Sequence, residues 1–393
     1  MASAPVDRPL RVLISAESFL PAVNGVTNSV LRVLGHLTAA GHEVLVVSPG
    51  PGPDVVEVGG HEVEVARVRG VRLPRYGTIT VGMPAHRHVC RLLRRFHPDV
   101  VHLAAPVALG RSVLAAADEL DVPTVAVFQT DLSGFVTAYG LRVASGPVWA
   151  WLRRIHNRAG LTLAPTPTVA ATLRRHGFER VAVWGRGVDH HQFHPGRRDP
   201  TFRARCGAAG DRALIGYVGR LAAEKRVDRL AGIVAGDDTA LVVVGDGPAR
   251  PRLESLLPAA TFTGHLSGAD LGRAMASLDV FVHTGAHETF CQTIQEAMAA
   301  GVSVVAPAIG GPVDLVSHDV DGLLYDPDRA GNLAGCVAAL VADRQRRIRL
   351  AAAGRRRVAG RTWEALGEEL LAHYASLVAG RERSRRPAVG RAA

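Results

Sequence analysis

Two glutamates, Glu288 and Glu296, lie eight residues apart in HETFCQTIQEAMAAG, the stretch from position 287 to 301. Helical spacing begins around Phe290 to Gln292 and ends at Gly301. Glu288 therefore belongs to the loop before a helix, and Glu296 to its second turn. Ionised carboxylates only accept hydrogen bonds, so both suit the hydroxyls of a sugar or ribose. The amides of Thr289, Phe290, Cys291 and Gln292 stand at the helix start. Donors there lack intrahelical partners and suit a phosphate or a polarised hydroxyl. The plainer alternative is a core helix: an acidic residue near its start is favourable anyway, and Phe290, Ile294, Ala297 and Met298 are apolar.

Other segments offer complementary groups. In GYVGRLAAEKRVDRL, Arg220 follows an apolar run and Lys225, the single lysine of the chain, comes five residues later. Two cations in a strand-to-helix loop can neutralise a diphosphate; the alternative is a solvated pair in which Glu224 offsets Lys225. Asn24 and Gly25 in FLPAVNGVTNSV, and Gly245 and Gly247 in GDGPARPRLE, follow strands and allow close backbone approach, or simply make turns. Gln129 and Asp131 in FQTDLSGFVTAYG are polar groups at a strand end that suit hydroxyls; the alternative is a helix cap by Thr130 or Asp131. Arg186 in GRGVD faces the same side or pairs with Asp189.

The elements that position these groups read as strand and helix in alternation. LRVLISAES, HEVLVVSPG, PDVVHLAAP, VPTVAVFQTD, AGLTLAP and RVAVWGRGVD are short apolar runs separated by helical patterns, one of them spanning Leu109 to Leu120. Continuous rather than alternating apolar strands imply a parallel sheet covered on both faces. The stretch from His190 to Asp211 lacks periodic order, and a second series begins at ALIGYVG. The expectation is an α/β protein of two Rossmann-like parallel-sheet domains, at residues 1–195 and 200–360, facing a central cleft. A terminal helix at 361–378 and a basic disordered tail at 380–393 complete it. Ligands of such sheets bind beyond the carboxyl ends of the strands, where the residues above fall.

Composition narrows the class. A chain of 393 residues with 47% apolar content folds as a globular protein and is long for one core. No apolar run is long enough for a membrane span, and the first residues lack the apolar stretch of a signal peptide, so a cytoplasmic location is expected. The four cysteines are scattered without a CxxC, which argues against a disulfide framework or a structural zinc site. The formal charge of +10 favours polyanionic partners. Few aromatics and no recognition motif speak against a nucleic-acid-binding protein. Arginines mixed with apolar residues in RVRGVRLPRYG and MPAHRHVCRLLRRFHPD suit an anionic membrane surface, or reflect the arginine bias of the whole chain.

Together the segments resemble the retaining GT-B glycosyltransferases of the large glycosyltransferase 4 family. ETFCQTIQEAMAAGVSVVA has the ExxxxxxxE spacing and surroundings of the family wording ESFGLVxLEAMAxGxPVVA. GGPVDLV, DGLLYDP, FLPAVNGVTNSV, GRLAAEKR and VGDGP extend the likeness over nearly the whole chain. FQTD and FCQTIQE look most like bacterial α-mannosyltransferases that use GDP-mannose on membrane glycolipids such as phosphatidylinositol mannosides. The resemblance implies that Arg220 and Lys225 bind the donor diphosphate, Glu288 the transferred hexose, and Glu296 the ribose. It implies that the amides of Thr289, Phe290, Cys291 and Gln292 line sugar and phosphate. The resemblance also implies that Gly25 lies near the β-phosphate and that Gly264 to Leu266 forms the wall of the base site. Asn24, Gln129, Asp131 and Arg186 fall on the acceptor side. Many members carry histidine where this chain has Gln129, and glutamine is no general base.

The implied reaction is transfer of a hexose, mannose for the mannosyltransferases it most resembles, with retention; no Asp-rich metal motif occurs, so no essential metal and no cofactor beyond the nucleotide-sugar donor is expected. The competing reading within the fold is a UDP- or other NDP-hexose donor with a soluble acceptor.

Overall fold

The structure, a computed structural model, describes residues 8–22, 24–72, 80–129, 145–233, 238–286 and 288–385. Ten strands make up its first half: β1 Arg11–Ser15, β2 Glu43–Pro49, β3 Val55–Val58, β4 His61–Val68, β5 Gly70–Arg72, β6 Thr80–Gly82, β7 Val100–Leu103, β8 Thr124–Val127, β9 Leu161–Ala164 and β10 Val181–Val183. Six follow: β11 Ala213–Val218, β12 Thr239–Val244, β13 Ala260–Gly264, β14 Val280–Val282, β15 Ser303–Pro307 and β16 Leu323–Tyr325. Among the described residues, eight strands form one sheet in the order β10-β9-β8-β7-β1-β2-β4-β3, with only β3 antiparallel to its neighbour. The six later strands form a second, wholly parallel sheet, β13-β12-β11-β14-β15-β16, and β5 and β6 make a small antiparallel ribbon.

The apolar runs explain this arrangement. Val12, Leu13 and Ile14 of β1 are all fully buried, because helices cover both faces of the first sheet. Helix Gly25–Ala39 and the final helix pack on one face, with Val30, Leu34, Leu366, Leu370 and Tyr374 in one cluster. Helices His86–Phe96 and Ala108–Glu119 pack on the other, through Val89, Leu93, Val113 and Leu114. The final helix runs from Trp363 to Arg385, into the stretch the sequence suggested as a tail. It places Leu366, Leu370, Tyr374 and Val378 against the first sheet, although it follows the second in sequence. Fully burying each of the leucine and valine side chains is worth about 1.5–3 kcal/mol. Trp184 Nε1 donates to the Leu366 carbonyl at 2.8 Å, and His102 Nδ1 lies 2.7 Å from the Tyr374 hydroxyl, fastening the crossing.

Each sheet changes winding direction beside its first strand: between β7 and β1, and between β11 and β14. Loops leaving the carboxyl ends of such a strand pair diverge and leave a crevice. In the second sheet these loops are the one after β11, carrying Arg220 and Lys225, and the one after β14, carrying Glu288.

Candidate active site at the second switch point

The loop after β11 is held in shape by its neighbours. The Tyr217 hydroxyl donates to the Arg220 carbonyl at 3.1 Å, and Leu221 N donates to the Asp246 carbonyl at 2.9 Å. Gly245 has φ +138°, and a Cβ there would collide with the Gly219 carbonyl oxygen. Its glycine is thus required by the turn that braces the Arg220 loop. A short 3-10 turn, Ala223–Lys225, ends that loop, and the Thr284 hydroxyl donates to the Lys225 carbonyl at 2.7 Å.

Lys225 Nζ meets Glu288 Oε1 at 2.5 Å, with the two side chains 24% and 15% exposed. Glu224, offered by the sequence as the partner of Lys225, instead pairs with Arg220, four residues back. The reason is geometric: the turn projects Lys225 toward the β14 loop, and Arg220 and Glu224 remain together at its mouth. Burial would raise the Glu288 carboxyl, but Lys225 and then His283 outweigh it and hold the group down at about 2. Burial likewise opposes the Lys225 charge, and Glu288 more than compensates, so its ammonium is held above the ordinary range.

His283 is the participant that the sequence reading missed. It follows β14 directly, its side chain is 4% exposed, and its Nε2 lies 3.5 Å from Glu288 Oε1. That is an ion-pair distance rather than a well-formed hydrogen bond. Burial works against a charged ring here, but Cys291 and Glu288 beside it raise it to about 10. Both cations thus converge on Oε1 of Glu288, and Oε2 has no hydrogen-bond partner among the described residues. The signal in the sequence was a histidine ending the run LDVFVH, which by itself marks nothing.

Helix Gln292–Ala299 begins after Cys291, whose φ of +77° is unusual for a residue with a side chain and whose side chain makes no cap. The amides at the helix start therefore receive no side-chain cap from Cys291. Phe290 is buried and Thr289 half-buried. The loop after β15 closes in beneath them: Gly311 N donates to the Glu288 carbonyl at 2.8 Å, and a Cβ on Gly311 would stand 2.7 Å from Phe290 N. On the second helical turn Glu296 is half-buried and has no hydrogen-bond partner among the described residues; burial raises its carboxyl to about 7, with Arg32 opposing.

The helix also grips the first half of the chain. Gln292 Nε2 donates to the Gly187 carbonyl at 2.8 Å and Gln295 Nε2 to the Arg186 carbonyl at 2.9 Å. Thr289 Oγ1 donates to the Gln129 carbonyl at 3.2 Å. Arg186 neither lines open space nor pairs with Asp189. Its guanidinium is buried, bonded to Ser29 Oγ and Gln129 Oε1, and 5.5 Å from the Trp184 ring centroid. Burial lowers it to about 10. Asp189 pairs instead with Arg32 at 3.2 Å and accepts from the amides of His191 and Gln192. Gln129 also donates through Nε2 to the Ala104 carbonyl, so both ends of its amide are engaged within the first half.

Asn24 caps helix Gly25–Ala39, accepting from the amides of Val26 and Thr27 at 3.0 and 3.1 Å. Gly25 opens that helix, and a Cβ on it would meet nothing within 4 Å, so space lies in front of it. Gly264 ends β13 with φ +77°, its carbonyl accepting from Gly245 N at 2.8 Å, and Leu266 packs half-buried beside the second core. Asp131 lies outside the described residues.

Known proteins share this design. Residues 23–192 match the family model described as Glycosyltransferase Family 4, and residues 199–357 match Glycosyl transferases group 1. A GDP-mannose-dependent alpha-mannosyltransferase of Mycolicibacterium smegmatis is 50% identical over 378 residues, covering 95% of this chain and 99% of its own length. The chain belongs to glycosyltransferase family 4. A further relative is the GDP-mannose-dependent alpha-(1-6)-phosphatidylinositol dimannoside mannosyltransferase of Mycobacterium tuberculosis, 30% identical over 92% of this chain and 95% of its own. The fold of this family 4 protein is that of sucrose-phosphate synthase from Thermosynechococcus elongatus, with a TM-score of 0.77 over 95% of this chain and 100% of the other at 21% identity. It is the GT-B fold: two sheet domains facing a cleft.

Proposed function

We propose that this glycosyltransferase transfers mannose from GDP-mannose, with retention of configuration, to a glycolipid acceptor of the phosphatidylinositol-mannoside kind. The observation that carries the donor is the 50% identity, over nearly the full length of both chains, to an enzyme named for GDP-mannose and α-mannosyl transfer. The acceptor class rests on the relative that is named for a phosphatidylinositol dimannoside.

The site suits this chemistry. In the proposal Arg220 and Lys225 receive the diphosphate. Lys225 has three donors and spends one on Glu288, so others remain for phosphate oxygens. Glu288 holds a hexose hydroxyl through its free Oε2, and Glu296 takes the ribose hydroxyls. The amides from Thr289 to Gln292 line sugar and phosphate, Gly25 admits the β-phosphate, and Gly264 and Leu266 border the base. As the bond from the sugar C1 to phosphate breaks, negative charge grows on the diphosphate, and preorganised cations stabilise it. A carboxylate held at about 2 is a weak base and a weak nucleophile, so Glu288 positions rather than attacks. The acceptor oxygen bonds to C1 from the leaving-group side and passes its proton to a phosphate oxygen. Asn24, Asp131, Gln129 and Arg186 belong to the acceptor side, the last two as a bonded supporting pair, with Arg186 buried and Gln129 half-buried.

The protein works at an anionic membrane surface in this reading. Arg87, Arg91, Arg94 and Arg95 are all exposed on helix His86–Phe96, and Val89, Cys90 and Leu93 face inward. Among the described residues no helix is long and apolar enough to cross a membrane. Incubation with radiolabelled GDP-mannose and a phosphatidylinositol-mannoside mixture should label lipid. Label appearing only on soluble sugars would refute the acceptor class, and equal flotation with neutral and anionic vesicles would refute the membrane contact.

A further inference from the structure

Three donor atoms converge where helix His86–Phe96 meets helix Ala108–Glu119. His86 and Cys90 are one helical turn apart and share a face; Glu119 is the last residue of the neighbouring helix. His86 Nε2 lies 2.9 Å from Glu119 Oε2 and 3.4 Å from Cys90 Sγ, and Cys90 Sγ lies 3.7 Å from the same Oε2. The ring N–H and the weakly donating thiol can both point at Glu119 Oε2, and the same three atoms also form a ligand set for a tetrahedral zinc ion. With Zn–N about 2.0–2.1 Å, Zn–S about 2.3 Å and Zn–O about 2.0–2.2 Å, the ligand-to-ligand edges come to roughly 3.3–3.6 Å. The two sulfur edges match to within about 0.2 Å, and the nitrogen–oxygen edge at 2.9 Å would have to open by about half an ångström on binding.

The surroundings fit a metal. Arg94 Nη2 bonds Glu119 Oε1 at 3.0 Å, which orients the carboxylate and leaves Oε2 as a single ligand. Glu119 closes its helix, where the dipole disfavours a negative charge and a cation offsets it. Cys90 is 4% exposed, whereas the His86 and Glu119 side chains are 49% and 47% exposed. The sulfur forms a dry floor and the fourth position opens to water. Helix Ala108–Glu119 returns from the carboxyl end of β7 to the amino end of β8, so this cluster lies at the opposite end of the sheet from the cleft.

We propose that His86, Cys90 and Glu119 bind one zinc ion, with water as fourth ligand, and that the metal clamps the arginine-bearing helix to its neighbour. On binding, the Cys90 thiol gives its proton to solvent and the thiolate bonds the metal. Chelator-stripped full-length protein should take up one zinc per chain in competition with a chromogenic chelator. Cobalt in its place should show a thiolate-to-cobalt charge-transfer band. His86→Ala and Cys90→Ser should each weaken zinc by at least the roughly 10–100-fold seen when metal-site support is lost, and abolish the rise in melting temperature that zinc gives the wild type. His86 is exposed, so His86→Ala keeps the test valid if Cys90→Ser folds poorly. Absence of uptake at micromolar free zinc, or unchanged affinity in His86→Ala, would overturn the proposal.

Discussion

Lys225→Met removes an ammonium from a carboxylate that is almost out of water. Between an ordinary carboxyl at 4.5 and Glu288 at about 2 lies roughly 3 kcal/mol, to which Lys225 contributes first and His283 second; loss of one partner of a buried pair costs ~3–5 kcal/mol, so roughly 3 kcal/mol is the scale expected for Lys225→Met. At about 2–4 °C per kcal/mol for a domain of this size, melting should fall by roughly 6–12 °C at neutral pH. Adding Glu288→Gln removes the stranded charge and should restore most of that stability. Transfer behaves differently: Lys225→Met should lose about 10²–10³ in kcat, and the double variant should recover none of it. Because the folded Glu288 carboxyl is depressed, the contribution of the pair is complete above about pH 4.5 and lost as pH falls toward 2. The stability gap between wild type and Lys225→Met should close over that interval. Calorimetry across pH and initial-rate assays on the same preparations measure both. A double variant no more stable than the single, or near-normal turnover in Lys225→Met, would refute the reasoning.

Other expectations follow from the same geometry. The Glu296 carboxyl is raised to about 7, so its burial favours folding below pH 4.5, and that advantage is lost as pH rises through 7. Glu296→Gln should therefore melt higher than wild type at pH 8 and alike at pH 4, yet bind GDP-mannose more weakly; a melting temperature lower at pH 8 contradicts this. Gly311→Ala places a carbon 2.7 Å from Phe290 N, and the displaced loop should cost at least about tenfold in kcat/KM, since misplacement of about 1 Å costs that much or more. Leu370→Ala, deep in the first core, should lose about 2–5 kcal/mol by chemical denaturation; an unchanged midpoint would separate the last helix from that core.

The fold was largely legible because buried parallel strands leave unbroken apolar runs such as LRVLI and ALVVV, and the intervening helices have their own period. The candidate site was legible where a residue type is rare for its place: a lone lysine, and two glutamates flanking a helix start. What stayed hidden was pairing. Nothing in the order of residues says that Lys225 reaches across 63 positions to Glu288 and leaves Glu224 to Arg220. His283 becomes informative only when β14 turns it onto Glu288. Gln129 and Arg186 looked like cleft groups because they follow strands, yet folding turns them onto each other, Arg186 also onto Ser29 and Gln129 onto the Ala104 carbonyl. Cys90 looked unsupported as a ligand because Glu119 joins it from another helix.

The donor is the center of the account. Calorimetric titration of wild type and Glu288→Gln with GDP-mannose, UDP-glucose and an ADP-sugar tests it most directly. GDP-mannose should bind the wild type most tightly and lose affinity in the variant. Selective binding of UDP-glucose, or equal binding of GDP-mannose by both proteins, would contradict it.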